Sequence, residues 1–152
     1  MERTLVLIKP DGVQRALVGE VLSRFERTGL KIAAMKLMWV DNDLARRHYA
    51  SHEGKAFFPG LIKYITSSPI VAVVLEGRQA VEVVRKIMGK TDGAVSPPGT
   101  IRGDLGTDLE RNLVHGSDGA ASAETEISLF FRKEEILTYP RDVDRWITES
   151  AK

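Results

Sequence analysis

Apolar residues in the amino-acid sequence fall into short continuous runs that predict buried strands. Residues 4–8 (TLVLI) form one such run, and the turn-forming sequence KPDG at residues 9–12 follows it directly. Residues 31–40 and residues 70–75 (IVAVVL) are predicted as the second and third strands. The apolar residues of segment 126–131 predict the last strand.

Other segments carry apolar residues at helical spacing. Val18, Val21, Leu22 and Phe25 recur at that spacing, and Gly29 stands where a helix would stop. Helices are predicted for the same reason at residues 41–49, 58–67, 79–88 and 141–150.

The order of these elements predicts an α+β fold. A ferredoxin-like βαββαβ unit accounts for them, with a four-stranded antiparallel sheet and helices on one face. Residues 89–113 are the exception, because this Gly- and Pro-rich segment has little periodicity and predicts a long functional loop before the last strand. We expect a single domain over residues 1–152, in which residues 139–152 form a C-terminal extension with a short helix.

Composition narrows the class of protein. The chain has 152 residues, 43% hydrophobic and 28% charged, as in ordinary globular proteins. Its net charge of +1 argues against a general nucleic-acid binder, and the absence of cysteine excludes disulfides and thiolate metal sites. The sequence shows neither a signal peptide nor an apolar stretch of membrane-spanning length, so we expect a cytoplasmic protein without a membrane partner.

Two groups of histidines are candidates for chemistry. His115 lies in NLVHGSDG (residues 112–119), between an apolar pair and small polar residues; alone, this segment favours an ordinary packed or exposed histidine. His48 and His52 are four residues apart on a predicted helix, a spacing that can hold a metal. Tyr49 stands where a zincin motif has Glu, however, and two surface histidines are the simpler interpretation.

Five segments together resemble the nucleoside diphosphate kinases in order and spacing, over about residues 2–132. They are RTLVLIKPDGV (residues 3–13), HY (48–49), FFPGL (57–61), PGTIRGD (98–104) and NLVHGSD (112–118). The resemblance implies a ferredoxin-like fold and transfer of a γ-phosphate from a nucleoside triphosphate to a diphosphate. It also implies Mg²⁺ as cofactor, a phosphohistidine intermediate, and a homo-oligomer, a hexamer in preference to a tetramer.

The resemblance also implies roles for individual residues. His115 would be the nucleophile that forms a pros-phosphohistidine, Glu126 would orient its imidazole, and Lys9 and Tyr49 would act beside it. The residues implied to bind the nucleotide are Lys9, Phe57, Leu61, Arg85, Thr91, Arg102, Leu109 and Asn112. Among these, Phe57 and Leu61 would sandwich the base, which makes the specificity for the base broad. The metal would have no protein ligand and would be held by phosphates and water.

Histidine suits such a reaction chemically. Exchange of phosphate between two nucleotides is nearly thermoneutral, and a phosphoramidate has a transfer potential close to that of an anhydride, whereas a phosphoserine would be a trap. The implied role is maintenance of the nucleotide and deoxynucleotide triphosphate pools. Two alternatives stay open: a ferredoxin-like binding module without catalysis, and a family member with a regulatory role.

Two features depart from the family pattern or extend beyond it. Gly93 stands where many members have proline, which predicts a looser loop and a stabilising effect of Gly93→Pro. In the extension, Val143, Trp146 and Ile147 predict a narrow apolar face that docks on its own or a neighbouring subunit.

Overall fold

The computed structural model describes residues 1–149 and contains one four-stranded antiparallel sheet. Its strands are β1 (Glu2–Ile8), β2 (Lys31–Met38), β3 (Ile70–Gly77) and β4 (Val114–Gly116), in the order β2-β3-β1-β4. This arrangement confirms the ferredoxin-like α+β class and the first three predicted strands.

Within residues 1–149, seven α-helices connect and cover the strands. They are α1 (Pro10–Gln14), α2 (Val18–Arg27), α3 (Asn42–His48), α4 (Phe58–Ile65), α5 (Ala80–Met88), α6 (Ile101–Leu105) and α7 (Ala120–Phe130). Short 3-10 helices lie at Ala50–His52, Gly93–Val95, Lys133–Glu135 and Asp142–Trp146. None of the helices formed by residues 1–149 is long and apolar enough to span a bilayer.

Helices cover both faces of the sheet, so the prediction of helices on one face was wrong. Leu5 and Leu7 of β1 belong to a core cluster with residues of α3, α4 and α7. Val6 and Ile8, which point the other way, belong to a second cluster with α2 and α5. Burial on two faces explains why β1 is continuously apolar instead of alternating.

The predicted last strand at residues 126–131 is wrong, because this segment is the end of helix α7. Ala123, Ile127 and Phe130 recur at helical spacing there; Ala123 is buried, and Ile127 and Phe130 pack with the α3–α4 cluster. The fourth strand is β4, which has only three residues and contains His115 at its centre. A run this short carries no readable periodicity.

Gly93 has a packing role that the sequence did not predict. A Cβ at this position would lie 2.6 Å from the carbonyl carbon of Gly106 and 2.9 Å from the carbonyl oxygen of Arg102. The close approach joins the two ends of the long segment 89–113, in which α6 also lies. The stabilising effect predicted for Gly93→Pro is therefore wrong for this loop, because the added atoms require the two backbones to separate.

The C-terminal extension packs on its own chain. Lys31 Nζ donates to the Tyr139 carbonyl at 2.6 Å, and the Arg141 guanidinium donates to the Gly29 carbonyl at 2.9 Å. Ile147 lies over Gly29, while Trp146 is 78% exposed. The predicted helix at 141–150 is only the 3-10 helix Asp142–Trp146, and its last predicted residue lies outside the described residues.

Deletion of residues 139–152 should lower the free energy of unfolding. The deletion removes the hydrogen bonds of Tyr139 and Arg141 and exposes the surface under Ile147, which together are worth about 2–4 kcal/mol. Urea unfolding of the full and truncated chains measures the difference. Trp146→Ala is the matched control and should change stability by less than about 0.5 kcal/mol, since its side chain is exposed. Equal stability of the full and truncated chains would show that the extension is not anchored.

Candidate active site

A cavity of about 370 Å³ lies beside His115, where β4, α3, α5 and the long loop meet. It brings together most of the residues that the family resemblance implies. Those that line it are Lys9, Tyr49, Arg85, Thr91, Arg102, Asn112, His115 and Glu126. His48, Ser51, His52, Lys90 and Asp118 also line it, and the sequence assigned none of them a role there.

Pairing of β4 with β1 places His115 at the cavity. His115 is opposite Leu7 in the antiparallel register, and the Lys9 amide continues the ladder by donating to the Leu113 carbonyl at 2.8 Å. Leu113 has φ +72°, a conformation that leucine rarely adopts. The Asp11 carboxylate accepts its amide at 3.1 Å, and the Tyr64 hydroxyl donates to the same carboxylate.

The imidazole of His115 is oriented by a carboxylate from α7. Nε2 of His115 lies 2.8 Å from Oε2 of Glu126, and the Ser117 hydroxyl donates to the same oxygen at 3.0 Å. Burial alone would raise the pKa of Glu126, but the hydrogen bond and charge of His115 outweigh it and lower that pKa. Glu126 is therefore ionised near neutral pH, and Nε2 carries the proton that it donates.

Ser117 is a site residue that the sequence did not identify. Its side chain is fully buried, and its hydroxyl accepts the Leu5 amide at 3.4 Å while it donates to Glu126. It thereby ties the carboxylate to β1. Its place two residues after His115, on the same side of an extended segment, is the signal that could have identified it.

His48 is not a surface histidine, so that interpretation was wrong. Both of its ring nitrogens are buried and have no hydrogen-bond partner among residues 1–149. Its ring stands edge-on to the ring of His115, with centroids 4.8 Å apart. Burial, followed by the charge of His115, lowers the pKa of His48 to about 3, so this imidazole is neutral.

Gly116 is required by the packing of a helix on β4. A Cβ on Gly116 would lie 2.8 Å from Met88 Cε and 2.9 Å from Val84 Cγ1. The glycine therefore allows helix α5 to pack directly on β4, and α5 is the helix that carries Arg85 to the cavity.

Four lysine and arginine side chains line the cavity, and three of them, Lys9, Arg85 and Arg102, differ in burial. Lys9 and Arg102 are buried, whereas Arg85 is exposed. Burial and the charge of Arg102 lower the pKa of Lys9 to about 8. Burial and the charge of Arg85 lower the pKa of Arg102 to about 10. The positive charges repel one another, so the cavity is electrostatically suited to bind an anion.

Arg102 also fastens the long loop to the sheet. Its guanidinium donates to the carbonyls of Asn112 at 3.2 Å, Gly89 at 3.1 Å and Val114 at 2.7 Å. A guanidinium has five N–H groups, so part of its donor capacity remains for a ligand.

Asn112 links three parts of the cavity wall. Its carboxamide oxygen accepts from Lys9 Nζ at 2.8 Å, and its nitrogen donates to the carbonyls of Thr91 at 3.2 Å and Leu109 at 3.0 Å. Tyr49 closes the opposite wall, and burial raises the pKa of its hydroxyl to about 12. The phenol is therefore a neutral donor at ordinary pH.

The three apolar residues implied to hold a base do not line this cavity. Phe57 and Leu109 are exposed, and Leu61 packs partly against the α3–α4 core cluster. They lie near its edge: the Phe57 ring is 5.3 Å from that of His52, and the Leu109 carbonyl bonds to Asn112. A base seated there would be partly open to solvent.

A larger cavity, of about 470 Å³, lies under the C-terminal extension. Gly29, Lys31, Glu76 and Ile147 are among its lining residues. Its charged groups pair with each other, as in the contact of 3.1 Å between Lys31 and Glu76. His115 and the cations Lys9, Arg85 and Arg102 line the smaller cavity.

Comparisons with known proteins agree with this geometry. The model of the nucleoside diphosphate kinase family matches residues 2–136. The nucleoside diphosphate kinase of Archaeoglobus fulgidus is 56% identical over 149 residues, which is 98% of this chain and 99% of that protein.

Solved structures show the same likeness. A halophilic nucleoside diphosphate kinase from Halobacterium salinarum in complex with CDP superimposes with a TM-score of 0.94 at 50% identity, covering 97% of this chain and 98% of that one. A nucleoside-diphosphate kinase from Borrelia burgdorferi, a transition-state mimic with bound vanadate and ADP, has a TM-score of 0.90 at 40% identity, with the same coverage.

The ferredoxin-like sheet, the histidine-centred cavity and these likenesses together define an enzyme of the phosphotransferase class. The chain belongs to the nucleoside diphosphate kinase family. It is a nucleoside-diphosphate kinase by the identity and coverage of its relatives.

The two arginines of the cavity should behave differently on substitution. Arg102→Ala leaves three carbonyls without their charged donor and should lower the free energy of unfolding by about 2–4 kcal/mol, as well as weakening nucleotide binding. Arg85→Ala is the matched control, because Arg85 is exposed; it should change stability by less than about 0.5 kcal/mol yet also weaken binding. Urea unfolding and calorimetric titration with a nucleotide measure the two effects. A stable Arg102→Ala would contradict the fastening role.

Proposed function

We propose that this enzyme transfers the γ-phosphate of a nucleoside triphosphate to a nucleoside diphosphate by a ping-pong mechanism through a phosphohistidine on His115. The observation that carries the proposal is the hydrogen bond of 2.8 Å between His115 Nε2 and Glu126, inside a cavity lined by cations. A carboxylate that orients an imidazole in this way prepares the opposite nitrogen for attack.

The tautomer selects the nitrogen that reacts. With its proton on Nε2 and donated to Glu126, a neutral His115 keeps a lone pair on Nδ1. The intermediate is therefore assigned to Nδ1, the pros nitrogen. In the first half-reaction, the bond from Nδ1 to the γ-phosphorus forms while the bond from that phosphorus to the β,γ-bridging oxygen breaks, and the diphosphate leaves. In the second, a terminal oxygen of another diphosphate attacks the same phosphorus and Nδ1 leaves.

The cavity residues are assigned roles that the charge of the transferring group requires. Lys9 and Arg102 would bind the oxygens of the transferring phosphate, and Arg85 would bind at the exposed side. Tyr49 and Thr91 would donate hydrogen bonds to phosphates, while Asn112 would contact the ribose hydroxyl. These cations gain a counter-ion when the nucleotide enters, which relieves the mutual repulsion that lowers the pKa values of Lys9 and Arg102.

Mg²⁺ is assigned to the nucleotide phosphates and water, with no direct protein ligand. The carboxylates at the cavity fit this arrangement: Glu126 accepts from His115 and Ser117, and Asp118 accepts from Ser122 at 2.6 Å. When bound, the ion neutralises phosphate charge.

The base is assigned to the edge of the cavity, between Phe57 and Leu61 and beside Leu109. Contacts of this kind stack on a ring face and read no hydrogen-bonding pattern, which supports broad specificity for the base. Such an enzyme would maintain the nucleoside and deoxynucleoside triphosphate pools of the cytoplasm.

A homo-oligomer, a hexamer in preference to a tetramer, is also part of the proposal. Met35, Leu37 and Trp39 alternate along β2 and beyond its end, and more than half of each side chain is exposed. These side chains of the edge strand β2 offer an apolar surface to a second copy, while Leu137 and Tyr139 already donate to the carbonyls of Ala33 and Ile32. Nothing in the proposal requires a nucleic acid or membrane partner.

Incubation with γ-labelled ATP and Mg²⁺ should leave an acid-labile, base-stable phosphate on His115. His115→Gln should fold normally and form no labelled enzyme, because an amide cannot form the phosphoramidate. Addition of an unlabelled diphosphate should discharge the label from the wild type into a triphosphate.

His52→Gln is the matched control for that experiment, since His52 also lines the cavity but lies away from Glu126. It should still be labelled on His115. Label on a serine, or label that survives in His115→Gln, would refute the mechanism.

The rate at low nucleotide concentration should fall as the pH rises through about 8. The pKa of Lys9 is lowered from its ordinary value to about 8, so the ammonium is charged below that pH and neutral above it in the free enzyme. Its pairing with phosphate is lost on the alkaline side. The pH profile of kcat/KM measures this limb, and Lys9→Arg should move it to higher pH, because a guanidinium stays charged. An unchanged alkaline limb in Lys9→Arg would show that another group titrates.

A further inference from the structure

His48 places an unused pair of nitrogen ligands beside the nucleophile. Both of its ring nitrogens are buried without a partner in the described chain, and a buried polar group in that condition costs free energy. The phosphate chemistry assigned above does not use it. Its ring is nevertheless held close to the reacting imidazole, edge-on at 4.8 Å between centroids.

Three donor groups converge at this point. One ligand atom from each of His48, His115 and Glu126 lies within 4.8 Å of the others. Two ligands bound about 2.0–2.1 Å from a tetrahedral ion are roughly 3.4 Å apart, so side-chain rotations of about 1 Å would close the set. Two histidines and one glutamate form a donor set that zinc enzymes use, with water as the fourth ligand.

We propose that His48, His115 and Glu126 form an inhibitory binding site for a divalent transition ion of the zinc type. The inhibition, though not the binding, rests on the proposed role of His115 as nucleophile. The site excludes the ion that the kinase reaction needs, because Mg²⁺ prefers oxygen ligands and retains its water.

Coordination would block the nucleophile by changing its tautomer. A neutral imidazole that binds an ion through Nε2 must carry its proton on Nδ1. The proton that His115 donates to Glu126 would therefore move to the nitrogen that attacks the phosphate. Nδ1 would lose its lone pair, and Glu126 would accept the ion in place of the proton.

The surroundings set the affinity of this site. His48 is available as a ligand because burial lowers its pKa to about 3 and keeps it neutral. Lys9, Arg85 and Arg102 line the same cavity and repel a cation. Only an ion that gains strongly from nitrogen ligands would overcome that repulsion, which favours zinc over the alkaline-earth ions.

Calorimetric titration of the full chain with Zn²⁺ alone, without nucleotide, tests the binding. The wild type should bind one ion per chain at this site. His48→Phe keeps a ring of similar shape between His115 and Phe130 but removes both nitrogens, and it should weaken binding at least tenfold. His48→Asn is the second variant if the first does not fold. His52→Phe is the matched control and should bind as the wild type does. Co²⁺ in place of Zn²⁺ should give the strong visible absorption of a tetrahedral site in the wild type and in His52→Phe, but not in the His48 variants.

A kinetic experiment tests the inhibition: the rate of phosphate transfer is measured with excess Mg²⁺ over a series of Zn²⁺ concentrations. Each rate is divided by the rate of the same variant without zinc. His48→Phe should need at least tenfold more zinc for half inhibition than the wild type, and this comparison also corrects for zinc held by nucleotide. Equal zinc affinity in the wild type and the His48 variants would overturn the site. Tight binding without inhibition would overturn the tautomer mechanism. If the wild type transferred no phosphate even without zinc, the proposed function would be refuted. The calorimetric result on zinc binding would still stand.

Discussion

Pairing of β4 with β1 is the interaction on which the site depends. It is short, with three paired positions, yet it brings His115 on β4, the proposed nucleophile, close to Lys9, which directly follows β1. Lys9 and Asn112, 103 residues apart in sequence, then meet through a side-chain hydrogen bond of 2.8 Å. A strand pairing of only three residues would have marginal stability on its own. Arg102 reinforces them, because it binds the carbonyls on both sides of Leu113 and so holds the loop that enters β4.

The same region contains features that cost folding free energy and that a purely structural protein would avoid. Leu113 is in a left-handed conformation, which costs on the order of 1–3 kcal/mol. Burial and a neighbouring cation lower the pKa of both Lys9 and Arg102: Arg102 is the neighbour that acts on Lys9, and Arg85 is the one that acts on Arg102. The hydrophobic clusters on the two sheet faces offset these costs, since every side chain from Leu5 to Ile8 is completely buried. A rigid sheet thereby keeps an anion site in its charged, partly desolvated state before the anion arrives.

The sequence predicted the sheet class and most of the cavity, and its failures have physical causes. Strands β1 and β3 were readable because burial on both faces makes them continuously apolar. The end of helix α7 resembles a strand in sequence, since Ile127 and Leu129 of the helix and Phe131 directly after it also alternate. The position of β4 could not be read, because three residues carry no period and their pairing is a tertiary event.

The family resemblance implied which residues line the cavity, but it did not imply the interactions between them. The contact between Ser117 and Glu126 depends on how α7 returns over β1. The burial of His48 depends on the packing of α3 against α7, which brings Phe130 against its ring. The sequence indicated only flexibility for Gly93, but both Gly93 and Gly116 lie against atoms distant in sequence, those of Gly106 and Met88 respectively. Close approach between segments is the kind of information that a single sequence does not contain.

The two nitrogens of His115 have different roles in the proposed mechanism: Nε2 donates to Glu126, and Nδ1 attacks the phosphate. This difference explains why Glu126 must be held firmly. Nε2 is committed to Glu126, and Glu126 is itself fixed by Ser117, whose hydroxyl is bound to the backbone of Leu5. The chain of contacts therefore runs from the central strand of the sheet to the proton on the imidazole. If Glu126 were free to move, the proton could occupy either nitrogen, and a fraction of the molecules would present no lone pair at Nδ1. Under the proposed mechanism, the position of β1 therefore determines the tautomer of His115. The ring of His48 beside it is neutral and has no hydrogen-bond partner among residues 1–149, so it does not compete with Glu126 for that proton.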